Sequence, residues 1–246
     1  MKIKAVLMDL GETLIHIPFG KKEWVEKVRL KETWGTLMKL GLDVEFERFI
    51  TVLKRVREKT AKLCEKNSVE ITIKKVFHET LEKLRVDAAP LMLVKLERAY
   101  YRAELEAWHV FQDSFEALEK LRRLDVKMAV VSNSRSDWMV RKLVSKLGLS
   151  SYFDVVTTSA ELGVRKPREE PFLKTLKALN VESEEGVMIG DTYETDILGA
   201  KKIKMRTIYV QRDVYNLLKH FKEPPDAIVS SILQAAGTVE SWIKGS

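Results

Sequence analysis

From about residue 108 onward, short apolar runs alternate with amphipathic helical stretches, and this rhythm constrains the fold more than any other feature. Helical periodicity over about 113–124, 136–147, 170–179 and 195–202 is interleaved with strand-like runs at Lys127–Val131, Phe153–Thr157, Gly186–Ile189 and Met205–Val210. Asp226–Val229 reads as a last short strand after a loop at Lys222–Asp226 that contains Pro224 and Pro225. An earlier apolar run, Ile3–Met8, ends at Asp9. Strands that alternate with helices in this way build a mostly parallel sheet covered on both faces.

Between about 21 and 107 the strand signal vanishes. Trp24, Val28, Trp34, Leu37 and Leu40 recur at helical spacing, as do Phe46, Phe49, Ile50, Leu53, Val56, Thr60 and Leu63. A third stretch carries Ile73, Val76, Phe77, Thr80, Leu81 and Leu84, and a fourth, opened by Pro90, carries Leu93, Leu96, Tyr100 and Leu105. Helices joined by short connections make a bundle-like insert. The expected organisation is therefore α/β: a core domain of residues 1–15 and 108–246, interrupted by a helical domain of 16–107. A length of 246 residues suits one domain carrying a sizeable insertion.

Composition narrows the partners. Apolar residues form 45% of the chain, enough for a substantial core. The formal charge of +7 and the pI near 9.3 favour anionic ligands, phosphorylated metabolites among them. The basic residues are interleaved with acids, as in Lys21-Lys22-Glu23, rather than gathered into the stripe that a nucleic-acid surface requires, so no nucleic-acid partner is expected. The N-terminal apolar run is too short for a signal peptide or a membrane span, and a cytoplasmic location without membrane attachment is expected. The single cysteine, Cys64, rules out an intramolecular disulfide, and its helical context predicts burial. High Lys, Arg and Glu usage with few Gln and Asn resembles that of thermophile proteins. The amphipathic helices of the insert leave either a monomer or a homodimer open.

In open parallel sheets, ligands bind beyond the carboxyl ends of the strands. The residues just past the strands here are Asp9, Ser132-Asn133, the loop leading to Lys166, and Gly190-Asp191. Asp9 and Asp191, brought together, would repel unless a cation lay between them, and oxygen ligands of this type suit Mg²⁺. Lys166 would balance the charge of an incoming phosphate, and the Ser132 hydroxyl with the amides of the following turn would hold phosphoryl oxygens. Asp196 either orients Lys166 or a metal-bound water, or serves only as a helix N-terminal acid.

Asp9-Leu10-Gly11-Glu12-Thr13-Leu14 resembles the first motif of the haloacid dehalogenase-like hydrolases, and Val130-Val131-Ser132-Asn133 resembles the second. Gly163-Val164-Arg165-Lys166-Pro167 with Pro171-Phe172 resembles the third, and Met188-Ile189-Gly190-Asp191 followed by Asp196-Ile197-Leu198-Gly199-Ala200 resembles the fourth. The likeness covers about residues 3 to 232, in the family's order and spacing. It implies a Rossmann-like core with an inserted α-helical bundle cap, and a Mg²⁺-dependent phosphatase acting on a small phosphorylated substrate. Asp9 would attack phosphorus to give an aspartyl-phosphate, and Lys166 would bind the phosphoryl group and steady Asp9. The metal would be held by Asp9, the Gly11 carbonyl and Asp191. Ser132 and Asn133 would contact substrate, and Asp196 and Thr13 would support the site.

One position departs from the family pattern. Two residues after the nucleophile, family phosphatases place an aspartate as general acid and base, whereas this chain has Gly11. General acid–base help is worth about 10²–10⁴-fold, so turnover of poor leaving groups should suffer most. Glu12, His16 and His78 are the candidates to replace it. Glu12 has a surface role as the alternative, His16 a hinge role and His78 a packing role. Trp24, Trp34, Tyr100, Tyr101 and Trp138 are candidates to line the site, although aromatic residues at helical spacing are expected to pack in a core. Arg165 and Arg168 flank Lys166 and either add positive potential or are solvated. The missing acid also admits a metal-independent 2-haloacid dehalogenase, a phosphonoacetaldehyde hydrolase-like Schiff base on an insert lysine, or a non-catalytic phosphate-binding or aspartyl-phosphate protein.

Overall fold

A computed structural model describes residues 2–212 and 221–245. The chain opens with strand β1 (Ala5–Met8) and a two-residue strand β2 (Ile15–His16). Four helices follow: α1 (Lys21–Lys39), α2 (Phe46–Asn67), α3 (Ile73–Lys83) and α4 (Pro90–Ala107). The return segment β3 (His109–Val110) pairs antiparallel with β2, so both crossings into the helical insert are tied into one narrow ribbon. Then come α5 (Ser114–Arg123), β4 (Lys127–Ser132), α6 (Asp137–Lys146), β5 (Val155–Thr158), the single turn α7 (Ser159–Leu162) and α8 (Glu170–Leu179). The chain finishes with β6 (Gly186–Gly190), α9 (Leu198–Lys202), β7 (Arg206–Val210), β8 (Ala227–Val229) and α10 (Ile232–Lys244).

Six strands form one parallel sheet in the order β5-β4-β1-β6-β7-β8. The alternation along β1 divides the core. Val6 and Met8 point into a cluster with Leu118 and Leu121 of α5, Leu143 of α6 and Val239 of α10. Ala5 and Leu7 point to the other face, against Phe172, Leu176 and Leu179 of α8. Because helices cover both faces, β1 and most of β4 are buried at every position, which is why they read as continuous apolar runs. The first cluster continues into the insert through Phe49, Leu53, Phe77, Leu81 and Leu96.

The insert also grips the core through backbone. In the connection between α2 and α3, Glu70 N donates to Gly163 O at 2.8 Å and Ile73 N donates to Arg135 O at 2.9 Å. Arg165 N donates back to Ser68 O at 3.2 Å, and Val69 bridges Val164. Two buried carboxylates reinforce this seam: Glu70 accepts from the Ser159 hydroxyl at 2.7 Å, and Glu97 accepts from the Ser136 hydroxyl at 2.6 Å.

Several expectations need correction. The expected helix over 195–202 is a π-helical turn, Tyr193–Ile197, followed by α9, and the Asp196 side chain accepts from Thr192 N at 3.1 Å at the start of that turn. The first strand begins at Ala5 rather than Ile3. The β2–β3 ribbon, α7 and α10 were not expected from the sequence. No helix among the described residues is long and apolar enough to cross a membrane.

Candidate active site

The central position of β1 creates the site. Its neighbours β4 and β6 lie on opposite sides, so the chain leaves the sheet in different directions and opens a crevice at the strand ends. Met8 is level with Val130 on one side and Ile189 on the other, and Asp9 N donates to Ile189 O at 2.9 Å. That register places Asp9 beside Ser132 and Asp191. All three line a cleft of about 1000 Å³ that lies between the strand ends and the helical insert.

Lys166 is the hub. Its side chain is 1% exposed, and Nζ lies 2.7 Å from Asp9 Oδ1, 2.7 Å from Asp196 Oδ1 and 2.6 Å from Val131 O. Burial alone would lower its pKa, but Asp196 and Asp9 outweigh burial and raise it, so the ammonium stays charged. Asn133 fixes the backbone of this lysine, donating from Nδ2 to Lys166 O at 3.0 Å and accepting from Lys166 N at 2.9 Å. Asn133, expected as a substrate contact, lines the cleft while its amide is hydrogen-bonded to the Lys166 backbone. No protein hydrogen bond involves the Ser132 hydroxyl among the described residues.

One ligand oxygen from each of Asp9, Asp191 and Asp196 falls within 4.8 Å of the others. Burial, with Asp196 and Asp191 nearby, pushes the Asp9 carboxyl up to about 7, although Lys166 works against the rise. Burial and Asp196 push Asp191 up to about 6, partly offset by the hydrogen bond from Thr13. Asp196 is already engaged by Lys166, Thr192 N and the Thr195 hydroxyl. Asp9 and Asp191 thus face the cleft with more negative charge than one lysine balances, which fits a divalent cation of oxygen-ligand preference. Thr13, fully buried, donates to Asp191 Oδ1 at 3.1 Å and holds that carboxylate in place.

Gly11 lines the cleft as expected, but its surroundings were not foreseen. A Cβ at this position would stand 3.3 Å from Cη2 and 3.9 Å from Cζ3 of Trp108. The indole thus packs against the place from which the usual aspartate side chain would extend. Its Nε1 lies 3.3 Å from Glu104 Oε1. Glu104 is ion-paired with Arg29, whose Nη1 donates to the Tyr100 hydroxyl at 3.1 Å. Arg57 Nη1 lies 2.5 Å from Glu26, and both guanidinium groups sit over the Tyr100 ring, at 4.4 Å and 5.6 Å.

Comparison with known proteins places this geometry. A family model described as haloacid dehalogenase-like hydrolase matches residues 43–210. The chain belongs to the haloacid dehalogenase-like hydrolases. It is 25% identical over 242 residues to a glyceraldehyde 3-phosphate phosphatase of Methanocaldococcus jannaschii, covering 98% of this chain and 99% of that one. It is 30% identical over 208 residues to a ribulose-1,5-bisphosphate 5-phosphatase of Halopiger xanaduensis, covering 83% of each. Among solved structures, a 2-haloacid dehalogenase from Pseudomonas syringae superposes with a TM-score of 0.72 at 23% identity, covering 98% of this chain and 99% of that one. At that identity the likeness speaks for the fold.

Within this haloacid dehalogenase-like hydrolase, the candidates for the missing acid separate. Glu12 lines the cleft, with its oxygen 3.1 Å from Lys22 Nζ. His16 stacks on Phe111 at 4.4 Å in the ribbon, and His78 is exposed on α3, so neither lines the cleft. Tyr100 and Tyr101 line it and are also buried in the core cluster, so both expectations hold for them. Trp34 bonds to Val44 O and packs on Phe46, and Trp138 lies beneath Arg98. Trp24 is 47% exposed and belongs to neither core nor site. Arg165 lines the cleft, whereas Arg168 bonds to Asn67 O on the seam. Cys64 is buried, as expected.

The sequence reading missed Arg29, Arg57, Glu104, Trp108 and Arg135. A signal existed for two of them. Arg29 lies on the buried stripe between Val25 and Thr33, and Arg135 follows Ser132-Asn133-Ser134 in the same strand-end loop.

Proposed function

We propose that this hydrolase is a Mg²⁺-dependent phosphatase that removes a phosphoryl group from a small metabolite through an aspartyl-phosphate at Asp9. The observation that carries the reading is the disposition of Asp9. Its Oδ1 accepts from Lys166 while the carboxylate faces Asp191 across the cleft, leaving the second oxygen as a nucleophile. That oxygen forms a bond to phosphorus as the P–O bond to the leaving alcohol breaks, and water then hydrolyses the acyl phosphate and returns the carboxylate. Ser132 and Lys166 bind the phosphoryl oxygens, and Asn133 and Asp196 keep Lys166 in place. Mg²⁺, held by Asp9, the Gly11 carbonyl and Asp191, would neutralise charge on the transferring group. The names of the two curated relatives support phosphate monoesters of small sugars or trioses as substrates.

With glycine at position 11 and Trp108 packed against it, no carboxylate projects from that position, and Glu12, the next residue, is ion-paired with Lys22. Esters with good leaving groups are the preferred substrates of such a site. The test is release of inorganic phosphate from p-nitrophenyl phosphate and from alkyl phosphates, with Mg²⁺ and with a chelator. Chelator-sensitive phosphate release, strongest for the aryl ester, is the expected result. The same missing acid favours a dehalogenase as the second reading, and halide release from 2-chloropropionate in chelator would select it.

A further inference from the structure

The cleft is lined by both acidic and basic side chains. The strand ends supply Asp9, Asp191 and Asp196 around one lysine, and Arg29, Lys54, Arg57, Arg135 and Arg165 line the same cleft. Most of these cations are already matched. Arg29, Arg57, Glu26 and Glu104 neutralise one another around Tyr100, and Arg165 lies 3.9 Å from the buried Glu70. Lys54 and Arg135 remain. Neither has a carboxylate within ion-pairing distance among the described residues, and the one hydrogen bond of the Arg135 guanidinium runs to the Thr60 hydroxyl at 3.1 Å. Glu58 also lines the cleft without an ion pair, which leaves one net positive charge among these three side chains.

The two cations come from different elements that are joined by the Arg135–Thr60 hydrogen bond. Lys54, Arg57 and Ala61 occupy one face of α2, where Ala61 leaves space above the cleft. Arg135 belongs to the strand-end loop of Ser132, and its guanidinium donates to the Thr60 hydroxyl on α2. The phosphoryl group near Asp9 is served by Ser132 and Lys166, so these cations are not needed for it. A planar guanidinium and an ammonium that line the same cleft both match the oxygens of a carboxylate or phosphate.

We propose that Lys54 and Arg135 form a subsite for a second anionic group, so that the substrate is a small phosphate ester carrying a carboxylate or another phosphate at its far end. This proposal rests on the phosphatase reading above. It is tested with matched pairs: 3-phosphoglycerate against glycerol 3-phosphate for the carboxylate, and fructose 1,6-bisphosphate against fructose 6-phosphate for the phosphate. The wild type is expected to favour the doubly anionic member of at least one pair through KM. The K54A/R135A double variant should lower that preference by about 10- to 100-fold, and R135K should keep part of it. Equal kcat/KM within both pairs for the wild type, or a preference that survives in the double variant, overturns the subsite. Thermal stabilisation by the same compounds without turnover gives a second readout. If no ester, p-nitrophenyl phosphate included, is hydrolysed, the phosphatase reading fails. The subsite then stands if 3-phosphoglycerate or fructose 1,6-bisphosphate stabilises the wild type but not K54A/R135A, and falls if neither stabilises the wild type.

Discussion

Restoring a carboxylate two residues after Asp9 tests the consequence of Gly11, and the structure shows that Gly11→Asp alone is the wrong experiment. The new Cβ would lie 3.3 Å from Trp108 Cη2, and the carboxylate would extend further from the backbone. The indole is held by its own position at the end of α4 and by the 3.3 Å contact of Nε1 with Glu104. Overpacking of this kind costs about 1–3 kcal/mol, so G11D should lower stability in urea by that amount and gain no activity. Trp108→Ala opens the space. In the G11D/W108A double variant the carboxylate can reach the leaving oxygen, and the ceiling on its benefit is about 10²–10⁴-fold. A site not shaped around it should recover less, about tenfold or more on an alkyl phosphate relative to W108A. The assay is a double-mutant cycle in kcat/KM, run in parallel on an alkyl phosphate and p-nitrophenyl phosphate. The aryl ester should change little, because its leaving group needs no proton. Two results would refute the reasoning. A gain in G11D alone with unchanged stability would show that Trp108 does not block the position. Equal effects on both esters in the cycle would show that leaving-group protonation is not what the site lacks.

Three further outcomes follow from the same geometry. Lys166→Met should abolish turnover and cost about 3–5 kcal/mol in chemical denaturation, because it leaves Asp9 and Asp196 without their buried partner. Asp191→Asn should weaken the stabilisation that Mg²⁺ confers in a thermal melt, and an unaltered Mg²⁺ response would remove Asp191 from the metal site. Asp226 accepts from Thr207 N at 2.8 Å and Thr207 Oγ1 at 2.7 Å; burial opposes ionisation, but these bonds and Lys201 outweigh it and lower the pKa. A carboxyl lowered on folding stabilises above its unfolded pKa and loses that stabilisation as pH falls through the folded value. Asp226→Asn should therefore reduce stability at neutral pH, with the deficit vanishing in acid; a deficit that persists in acid would contradict it.

Much of the core was legible because burial on both sheet faces leaves long apolar runs, and insert helices α2 and α3 were legible because each has one buried stripe. The strand-end residues Asp9, Ser132, Lys166 and Asp191 followed from the topology, since parallel strands must deliver their next residues to one edge. Helix α10 escaped notice although Ser231 and Gln234 form an N-terminal signature, with Ser231 Oγ accepting from Gln234 N at 3.2 Å. Its buried face is built largely from Ala235, Ala236 and Val239, too small to stand out as a stripe. The β2–β3 ribbon has two residues per strand, which is below any periodicity. The cationic lining of the cleft was hidden for a different reason. Arg29, Arg57 and Arg135 come from two helices and a loop, and only the packing of those elements brings them together.

That packing also fixes a length. The connection between α2 and α3 holds the loops carrying Arg135 and Lys166 through the hydrogen bonds at Gly163, Arg165 and Ile73. Asn133 ties those two loops to each other through both its amide groups. Glu70 and Glu97 sit on this seam, each 4% exposed, and separating the surfaces would strip the serine hydroxyls from two buried carboxylates. Motion about the narrow ribbon at Ile15 and Val110 is therefore opposed by a seam of backbone hydrogen bonds and buried acids. Lys54 and Arg57 on α2 consequently stand at a set distance from Lys166, and through it from Asp9. On the subsite proposed above, the phosphate ester whose span matches that distance should show the lowest KM in a chain-length series, and equal KM across the series would contradict it.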